Sequence, residues 1–143
     1  LLPSIMSHKT AYIMRGVSGS GKSTLAAKLA PDDGKCYIFS TDDYFMEGDK
    51  YVFRPEDLAM NHSKNLERWK TALEREVFET VVCDNTNTSE WEYAPYVEIA
   101  EAAGYSVVFM VLKPQMDQLK VYAERNSHGV PLEAIIRQAE RFE

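Results

Sequence analysis

Positive charge is scarce in this 143-residue sequence, in which 16 Lys and Arg stand against 22 Asp and Glu for a formal net charge of −6. A chain with this balance has no global positive field that would attract nucleic acid. Any site for a phosphate-bearing ligand must therefore be a local concentration of donors.

Cysteine is also scarce, with Cys36 and Cys83 the only two. They show neither C-x-x-C spacing nor a nearby pair of histidines, which excludes the common zinc motifs. Both lie in apolar, strand-like runs and are predicted to be reduced core residues, a usage typical of intracellular proteins of the cytoplasm or nucleus.

A long hydrophobic run is missing at the start of the chain, because the opening apolar residues are few and are interrupted by Pro3. Such a stretch is too short for a signal peptide or a membrane span, so no membrane partner is expected. We assign residues 1–9 to an N-terminal tail or to residues added for expression. The lack of an initiating Met predicts other domains in a larger polypeptide.

Repeats and low-complexity tracts are absent, and a hydrophobic content of 45% with 11% aromatics predicts one globular domain over residues 10–143. Four apolar runs have the pattern of strands, at residues 11–14, 36–39, 77–84 and 106–112. Five helices are predicted, at residues 23–30, 55–76, 89–104 with a kink or restart at Pro95, 115–125 and 131–142. This alternation predicts an α/β three-layer sandwich, with a central parallel sheet of about four strands and helices on both faces.

The segment GVSGSGKST at residues 16–24 matches G-x-x-x-x-G-K-[ST] between a predicted strand and a predicted helix. Backbone N–H groups of such a loop, with the helix dipole behind them, favour an anion. Lys22 is predicted to reach the β- and γ-phosphates and to act in catalysis, while the hydroxyl of Ser23 binds Mg²⁺. The predicted ligand is a nucleoside triphosphate, with ATP and Mg²⁺ as cofactors. The predicted nucleotide-binding residues are Gly16, Ser18, Gly19, Ser20, Gly21, Lys22, Ser23 and Thr24.

Acidic residues follow two of the predicted strands, where open α/β sheets place their ligands. Asp84 ends the apolar run at residues 81–83 in the Walker B arrangement and is predicted to bind the metal with Ser23. Asp42 is predicted to be the general base for an acceptor hydroxyl. Helix N-capping by the Asp42–Asp43 pair is the alternative.

Several further polar and aromatic residues are candidates for substrate contacts: Asp43, Tyr44, Arg54, Asn85 and Asn87. For Asn85 and Asn87 the alternative is turn chemistry. The aromatic residues after Asp42 could either stack a nucleobase or roof the core.

Arg125 ends a predicted helix beside the break Asn-Ser-His-Gly, where a lid over the phosphates would hinge. We therefore predict that Arg125 covers the transferring phosphoryl group. Arg137 and Arg141 lie on one face of the next helix and have the spacing of solvated arginines that pair with glutamates.

Four segments together resemble the P-loop kinases related to bacteriophage polynucleotide 5′-kinase: RGVSGSGKSTLA at residues 15–26, STDDYF at 40–45, DNTNT at 84–88 and RNSHGV at 125–130. The resemblance is nearer still to the P-loop domain of metazoan Nedd-four-binding proteins, and it extends to that of myelin cyclic nucleotide phosphodiesterase. The resemblance implies that Asp42 is the base for a 5′-hydroxyl and that Arg125 comes from the lid. Where the phage enzyme has an arginine directly after Asp-Asp-Tyr, this chain has Phe45.

The expected activity is thus an ATP-dependent kinase that transfers the γ-phosphate to the 5′-hydroxyl end of RNA or DNA. One alternative is a kinase of the same fold for a small hydroxylated metabolite, which the acidic composition suits. The other is a weakly hydrolytic ATP-binding domain that recruits partners.

Overall fold

A computed structural model describes residues 8–143. Its main sheet has four strands, β1 (Thr10–Gly16), β2 (Cys36–Phe39), β5 (Thr80–Cys83) and β6 (Ser106–Leu112). All neighbours are parallel, in the order β2-β5-β1-β6. The predicted parallel sheet of about four strands is confirmed, and the predicted bounds of β2 and β6 match the structure. The predicted third strand is shorter than expected and begins at Thr80. Most of the predicted tail, residues 1–7, lies outside the described residues.

Five helices surround the sheet: α1 (Lys22–Leu29), α2 (Leu58–Glu74), α3 (Glu90–Ala102), α4 (Leu119–Arg125) and α5 (Leu132–Glu140). Single 3₁₀ turns precede α2 and α4, so both helices begin about three residues later than predicted. In α3 the carboxylate of Glu92 accepts a hydrogen bond of 3.0 Å from the backbone N–H of Ser89, which fixes the helix start. This helix runs unbroken through Pro95, so the alternative of a restart there was wrong.

Apolar side chains cover both faces of the sheet, as predicted. Trp69 and Leu73 of α2 are fully buried with Tyr96 of α3 on one face. On the other face Ala26 of α1 packs against Met14 of β1. A third cluster lies between α4, α5 and the chain that follows β1. The sheet is therefore packed on both faces, and the chain after β1 packs against α4 and α5.

A small antiparallel hairpin, which the sequence did not reveal, follows β2 and consists of β3 (Met46–Glu47) and β4 (Lys50–Tyr51). Gly48 takes a φ of +68° at its turn, a conformation that glycine adopts without strain. Phe45 anchors the hairpin, because it is buried and its ring centroid lies 5.0 Å from that of Phe53. Of the two uses predicted for these aromatics, Phe45 serves the core.

The two cysteines are free thiols, as the sequence predicts. Cys83 is fully enclosed, and its burial raises the pKa of the thiol to about 12. Cys36 is half-buried on the edge strand β2. In the described part of the chain, no helix combines the length and the apolar character that a membrane span needs.

Arg15 is a buried cation that holds the sheet to the loop after β5. Its Nε donates to the carbonyl of Asn87 at 2.9 Å and its Nη2 to that of Thr88 at 3.1 Å. The guanidinium carbon lies 4.8 Å from the ring centroids of both Tyr93 and Phe142. The guanidinium therefore joins β1 to the loop that carries Asp84.

Replacement of Arg15 by Met is expected to lower the free energy of unfolding by about 2–4 kcal/mol, because it removes charge-assisted hydrogen bonds and leaves buried carbonyls without a donor. Urea unfolding measures the change. The exposed Lys28→Met serves as the control and is expected to stay within about 0.5 kcal/mol. A loss for Arg15→Met no larger than that of the control would contradict this role.

Candidate active site

The loop between β1 and α1 forms the floor of the site at the carboxyl edge of the sheet. Gly19 and Gly21 take φ angles of +80° and +96°, conformations that side chains rarely adopt. Among the described residues, Ser20 Oγ is buried without a hydrogen-bond partner. An unpaired hydroxyl inside a glycine-rich loop at a helix N-terminus fits a missing anionic ligand.

Lys22, Ser23 and Asp84 meet in the middle of the site. Lys22 Nζ donates to Asp84 Oδ1 at 3.0 Å, and Ser23 Oγ donates to Asp84 Oδ2 at 2.9 Å. The side chains of Lys22 and Asp84 are only 11% and 8% exposed. Asp84 reaches this position because β5 lies directly beside β1. The structure thus brings together the three residues that the sequence assigned to phosphate and metal.

The oxygen donors at this point suit Mg²⁺. Ser23 and Asp84 supply a hydroxyl and a carboxylate, and no group of three or more His, Cys, Asp or Glu gathers as a metal cluster within residues 8–143. Mg²⁺ characteristically takes one or two protein oxygens and completes its shell with phosphate oxygens and water. These two oxygen donors therefore fit a magnesium ion whose remaining ligands come from a polyphosphate and water.

The α4–α5 segment packs directly on the phosphate loop. Arg125 Nε donates to the carbonyl of Gly19 at 2.6 Å, so the predicted lid arginine lies against the loop. From α5, the side chain of Gln138 accepts a hydrogen bond from Ser18 N–H at 2.9 Å and donates to Ser18 Oγ at 3.2 Å. Gln138 was not predicted, because a glutamine on an amphipathic helix carries no signal of such a contact.

Asp42 lies in a 3₁₀ turn, Thr41–Phe45, just past β2. Ser40 caps this turn by accepting a hydrogen bond from Asp42 N–H, so the alternative of an Asp42–Asp43 cap was wrong. The Asp42 carboxylate accepts a hydrogen bond from Tyr51 Oη at 3.0 Å and lies 3.3 Å from His128 Nδ1. Asp43 instead pairs with Arg68 at the surface, at 3.1 Å.

The environment of Asp42 keeps it ionised. Partial burial raises the pKa of Asp42. The hydrogen bond and charge of His128, the Tyr51 hydroxyl and the charge of Lys22 together lower that pKa by more than burial raises it. The net result is a pKa below the ordinary aspartate value. Conversely, burial and the adjacent Asp42 carboxylate raise the pKa of Tyr51, which therefore stays a donor. At neutral pH Asp42 has the charge that a proton acceptor needs.

The asparagines after Asp84 hold loops together. Asn85 Oδ1 accepts a hydrogen bond of 3.0 Å from Thr41 N–H, which fixes the turn that carries Asp42. Asn87 has a φ of +46°, is 1% exposed, and donates to the carbonyl of Met14 at 2.8 Å. The prediction that Asn87 contacts substrate is corrected, because its side chain is enclosed and belongs to the fold.

The remaining predicted substrate residues, Arg54 and Tyr44, lie outside the cluster of Lys22, Ser23 and Asp84. Arg54 pairs with Glu47 at 2.9 Å, and its side chain is 50% exposed. Tyr44 is half-buried beside α2, where the guanidinium carbon of Arg68 lies 5.0 Å from its ring centroid. Tyr51 and His128 were not predicted as neighbours of Asp42. His128 lies in a break that the sequence did single out, but its histidine was given no role.

Comparison with known proteins shows which family this chain belongs to. Residues 12–143 match a family described as an AAA domain. NEDD4-binding protein 2 of Homo sapiens is 36% identical over 151 residues, covering 97% of this chain but only 8% of that protein. The chain therefore spans a small fraction of the relative that it matches.

Solved structures give the same fold at lower identity. A chain of the Pnkp1/Rnl/Hen1 RNA repair complex superposes with a TM-score of 0.69 at 17% identity, covering 94% of this chain and 44% of that one. A gluconokinase from Sinorhizobium meliloti 1021 gives 0.59 at 21% identity, covering 95% and 76%. This chain thus belongs to the AAA-domain family that its residues 12–143 match, and it has the fold of the P-loop kinases.

Proposed function

We propose that residues 10–143 form a kinase domain that transfers the γ-phosphate of ATP to the 5′-hydroxyl end of RNA or DNA. The observation that carries the proposal is the placement of an ionised, half-exposed Asp42 beside a site where Lys22, Ser23 and Asp84 converge. A pure nucleotide binder has no need of a base beside the phosphate site. The positive charge of Lys22 also contributes to the lowered pKa of Asp42.

Each residue then has a defined task. The phosphate loop and Lys22 bind the triphosphate and balance its charge. Ser23 and Asp84 would hold Mg²⁺, which would supply further neutralisation of the phosphate charge. Asp42 accepts the proton of the acceptor hydroxyl as its oxygen bonds to the γ-phosphorus. The bond from that phosphorus to the bridging oxygen breaks, and ADP leaves with the electron pair. Arg125, once released from the carbonyl of Gly19, is available to cover the phosphoryl group.

A polynucleotide acceptor is supported by a local basic surface that extends from Tyr44 along α2. A shallow depression of about 500 Å³ is lined by Tyr44, Lys64, Arg68 and Arg75, with Glu67 the one acidic residue in its wall. A strand that leaves the Asp42 site can follow this surface, with its phosphates near the basic residues and a base near Tyr44. The relatives agree in part, since one neighbour is from an RNA repair complex.

Transfer of labelled γ-phosphate from ATP, with Mg²⁺, tests the proposal. The acceptors are matched RNA and DNA oligonucleotides that carry either a 5′-hydroxyl or a 5′-phosphate. Labelled product from a 5′-hydroxyl strand alone is the expected result. If neither oligonucleotide is labelled but a small polyol is, the proposed polynucleotide activity is wrong. The alternative of a small-molecule kinase is then supported. The gluconokinase neighbour makes gluconate the first polyol to include.

The basic surface gives a separate prediction. The double replacement of Lys64 and Arg75 by Ala is expected to weaken single-strand binding and to reduce the slope of log K against log salt by about 0.7 for each phosphate that is no longer neutralised. Fluorescence anisotropy across a salt series measures both. Lys28→Ala, an exposed cation on α1, is the control. A slope unchanged by the double replacement would mean that the strand takes another path.

A further inference from the structure

Both oxygens of the Asp42 carboxylate already have partners in the absence of an acceptor. Tyr51 donates to Oδ1, and His128 Nδ1 lies 3.3 Å from Oδ2. A general base must present an oxygen within hydrogen-bond reach of the proton that it takes. Each contact occupies one of the lone-pair positions of the carboxylate, so an acceptor hydroxyl competes with Tyr51 and His128 for access to Asp42.

The two partners form one unit, although they come from distant segments. Tyr51 belongs to the hairpin after β2, and His128 to the loop between α4 and α5. Their rings stack with centroids 4.0 Å apart and an interplanar angle of 12°. Tyr51 is the more fixed of the two, because its strand pairs with β3 and its ring packs beside that of Phe45. His128 is the partner that can leave.

The loop that carries His128 is itself firmly built. Asn126 Nδ2 donates to the carbonyls of Tyr122, Ala123 and Val130, and its Oδ1 accepts from the N–H groups of His128 and Val130. Directly before it, Arg125 binds the carbonyl of Gly19 in the phosphate loop. The side chain of His128 is 32% exposed. Rotation of the imidazole alone thus frees Oδ2, without any movement of the loop.

We infer that Tyr51 and His128 are positioning residues for Asp42, in which Tyr51 orients the carboxylate and His128 covers its second oxygen until an acceptor hydroxyl displaces the imidazole. The inference rests on the proposed function of Asp42 as a base. Its consequence is partial protection of the nucleotide, because a carboxylate oxygen that His128 already contacts activates water less readily than a free one. Hydrolysis would otherwise join a water oxygen to the γ-phosphorus, break the bond to the bridging oxygen, release ADP with the electron pair and leave a proton on Asp42.

Release of ADP from Mg²⁺-ATP without any acceptor tests this cover directly. Replacement of His128 by Ala is expected to raise acceptor-independent ATP hydrolysis about 3–10-fold and to lower the KM of a 5′-hydroxyl oligonucleotide by a similar factor, since the acceptor no longer displaces a hydrogen bond. In the double variant with Asp42→Asn the extra hydrolysis is expected to disappear. Tyr51→Phe, which keeps the ring stack, is expected to lower kcat about 3–10-fold through a poorly oriented base.

Ser127→Ala, an exposed neighbour in the same loop, is the matched control and is expected to leave hydrolysis unchanged. The inference is overturned if His128→Ala does not raise hydrolysis, or if the rise persists when Asp42 is also replaced. The hydrolysis assay uses no acceptor, so it decides the inference even if the wild-type protein labels no oligonucleotide. In that case only the proposed acceptor is wrong, and the hydrolysis that depends on Asp42 still shows whether His128 covers the carboxylate.

Discussion

Replacement of Asp42 by Asn is expected to lower kcat for phosphate transfer about 10²–10⁴-fold, the usual contribution of a general base. Asn has nearly the same shape and can still accept the hydrogen bond from Tyr51, but it cannot take a proton. ATP affinity is expected to change little, because Lys22 and Ser23 bond to Asp84 and not to Asp42. Single-turnover transfer and a separate ATP titration measure the two effects.

Asp49→Asn is the matched control for Asp42, since Asp49 is exposed at the tip of the hairpin. It is expected to leave kcat unchanged. Because the pKa of Asp42 is lowered in the free enzyme, the base stays ionised as the pH falls, and kcat/KM is expected to decline only below the ordinary aspartate value of about 3.9. An Asp42→Asn variant that keeps more than about a tenth of the wild-type kcat would contradict the assignment of the base.

Replacement of Gly19 by Ala is expected to disrupt the packing of the phosphate loop against α4. A Cβ at this position would lie 2.2 Å from the carbonyl oxygen of Tyr122 and 2.7 Å from its carbonyl carbon, and both atoms belong to the backbone. The loop or the helix must shift, so we expect a loss of about 1–3 kcal/mol in the free energy of unfolding beyond the backbone strain itself. ATP binding should weaken as well, because the loop holds the phosphates.

Gly34→Ala isolates the steric effect of the Gly19 replacement. Gly34 has a φ of +81°, nearly that of Gly19, but among residues 8–143 no atom lies within 4 Å of the methyl group that alanine would add. Both replacements therefore carry the same backbone strain, and only Gly19→Ala adds the clash. Chemical unfolding of the two variants, with an ATP titration of each, measures the difference. Equal losses for the two would show that α4 does not hold the loop.

The parts of this structure that were predictable from sequence are those set by neighbours along the chain. The phosphate loop, β2 and β6 follow from short apolar runs and glycine spacing, and the capping box marked the start of α3. Asp84 could be paired with Ser23 because two local motifs have a known mutual placement in parallel sheets. In each case a few adjacent residues carry the information.

The parts that were missed depend on where loops travel in space. His128 and Gln138 meet their partners across long separations, and a histidine in a loop looks the same in sequence whether it faces a carboxylate or water. Tyr51 lies near Asp42 in sequence, but only the unpredicted hairpin turns its hydroxyl back to the carboxylate. Asn87 misled for the opposite reason, because a polar residue after a strand suggests an exposed donor, yet this one is enclosed. The hairpin was missed because its two-residue strands are too short to show alternation.

The net charge of the whole chain does not predict the charge of each part of its surface. The net charge of −6 argued against a global field that attracts nucleic acid, but Lys64, Arg68 and Arg75 line one shallow depression next to Tyr44. Of these three cations, Arg68 also pairs with Asp43. A single-strand path needs only a few local cations together with a ring to stack on. The composition therefore limits the extent of a nucleic-acid surface without excluding one.

The ratio of ADP formed to labelled 5′ ends formed tests the central claim most directly. We predict that the wild-type protein, with Mg²⁺-ATP and excess 5′-hydroxyl oligonucleotide, produces one labelled strand for each ADP, and that a 5′-phosphate strand yields neither product above background. Such a result means that the domain transfers the γ-phosphate to an acceptor hydroxyl and does not hydrolyse ATP. ADP that accumulates without labelled strands, at a rate indifferent to the 5′ end, would contradict the kinase and leave a hydrolytic nucleotide-binding domain.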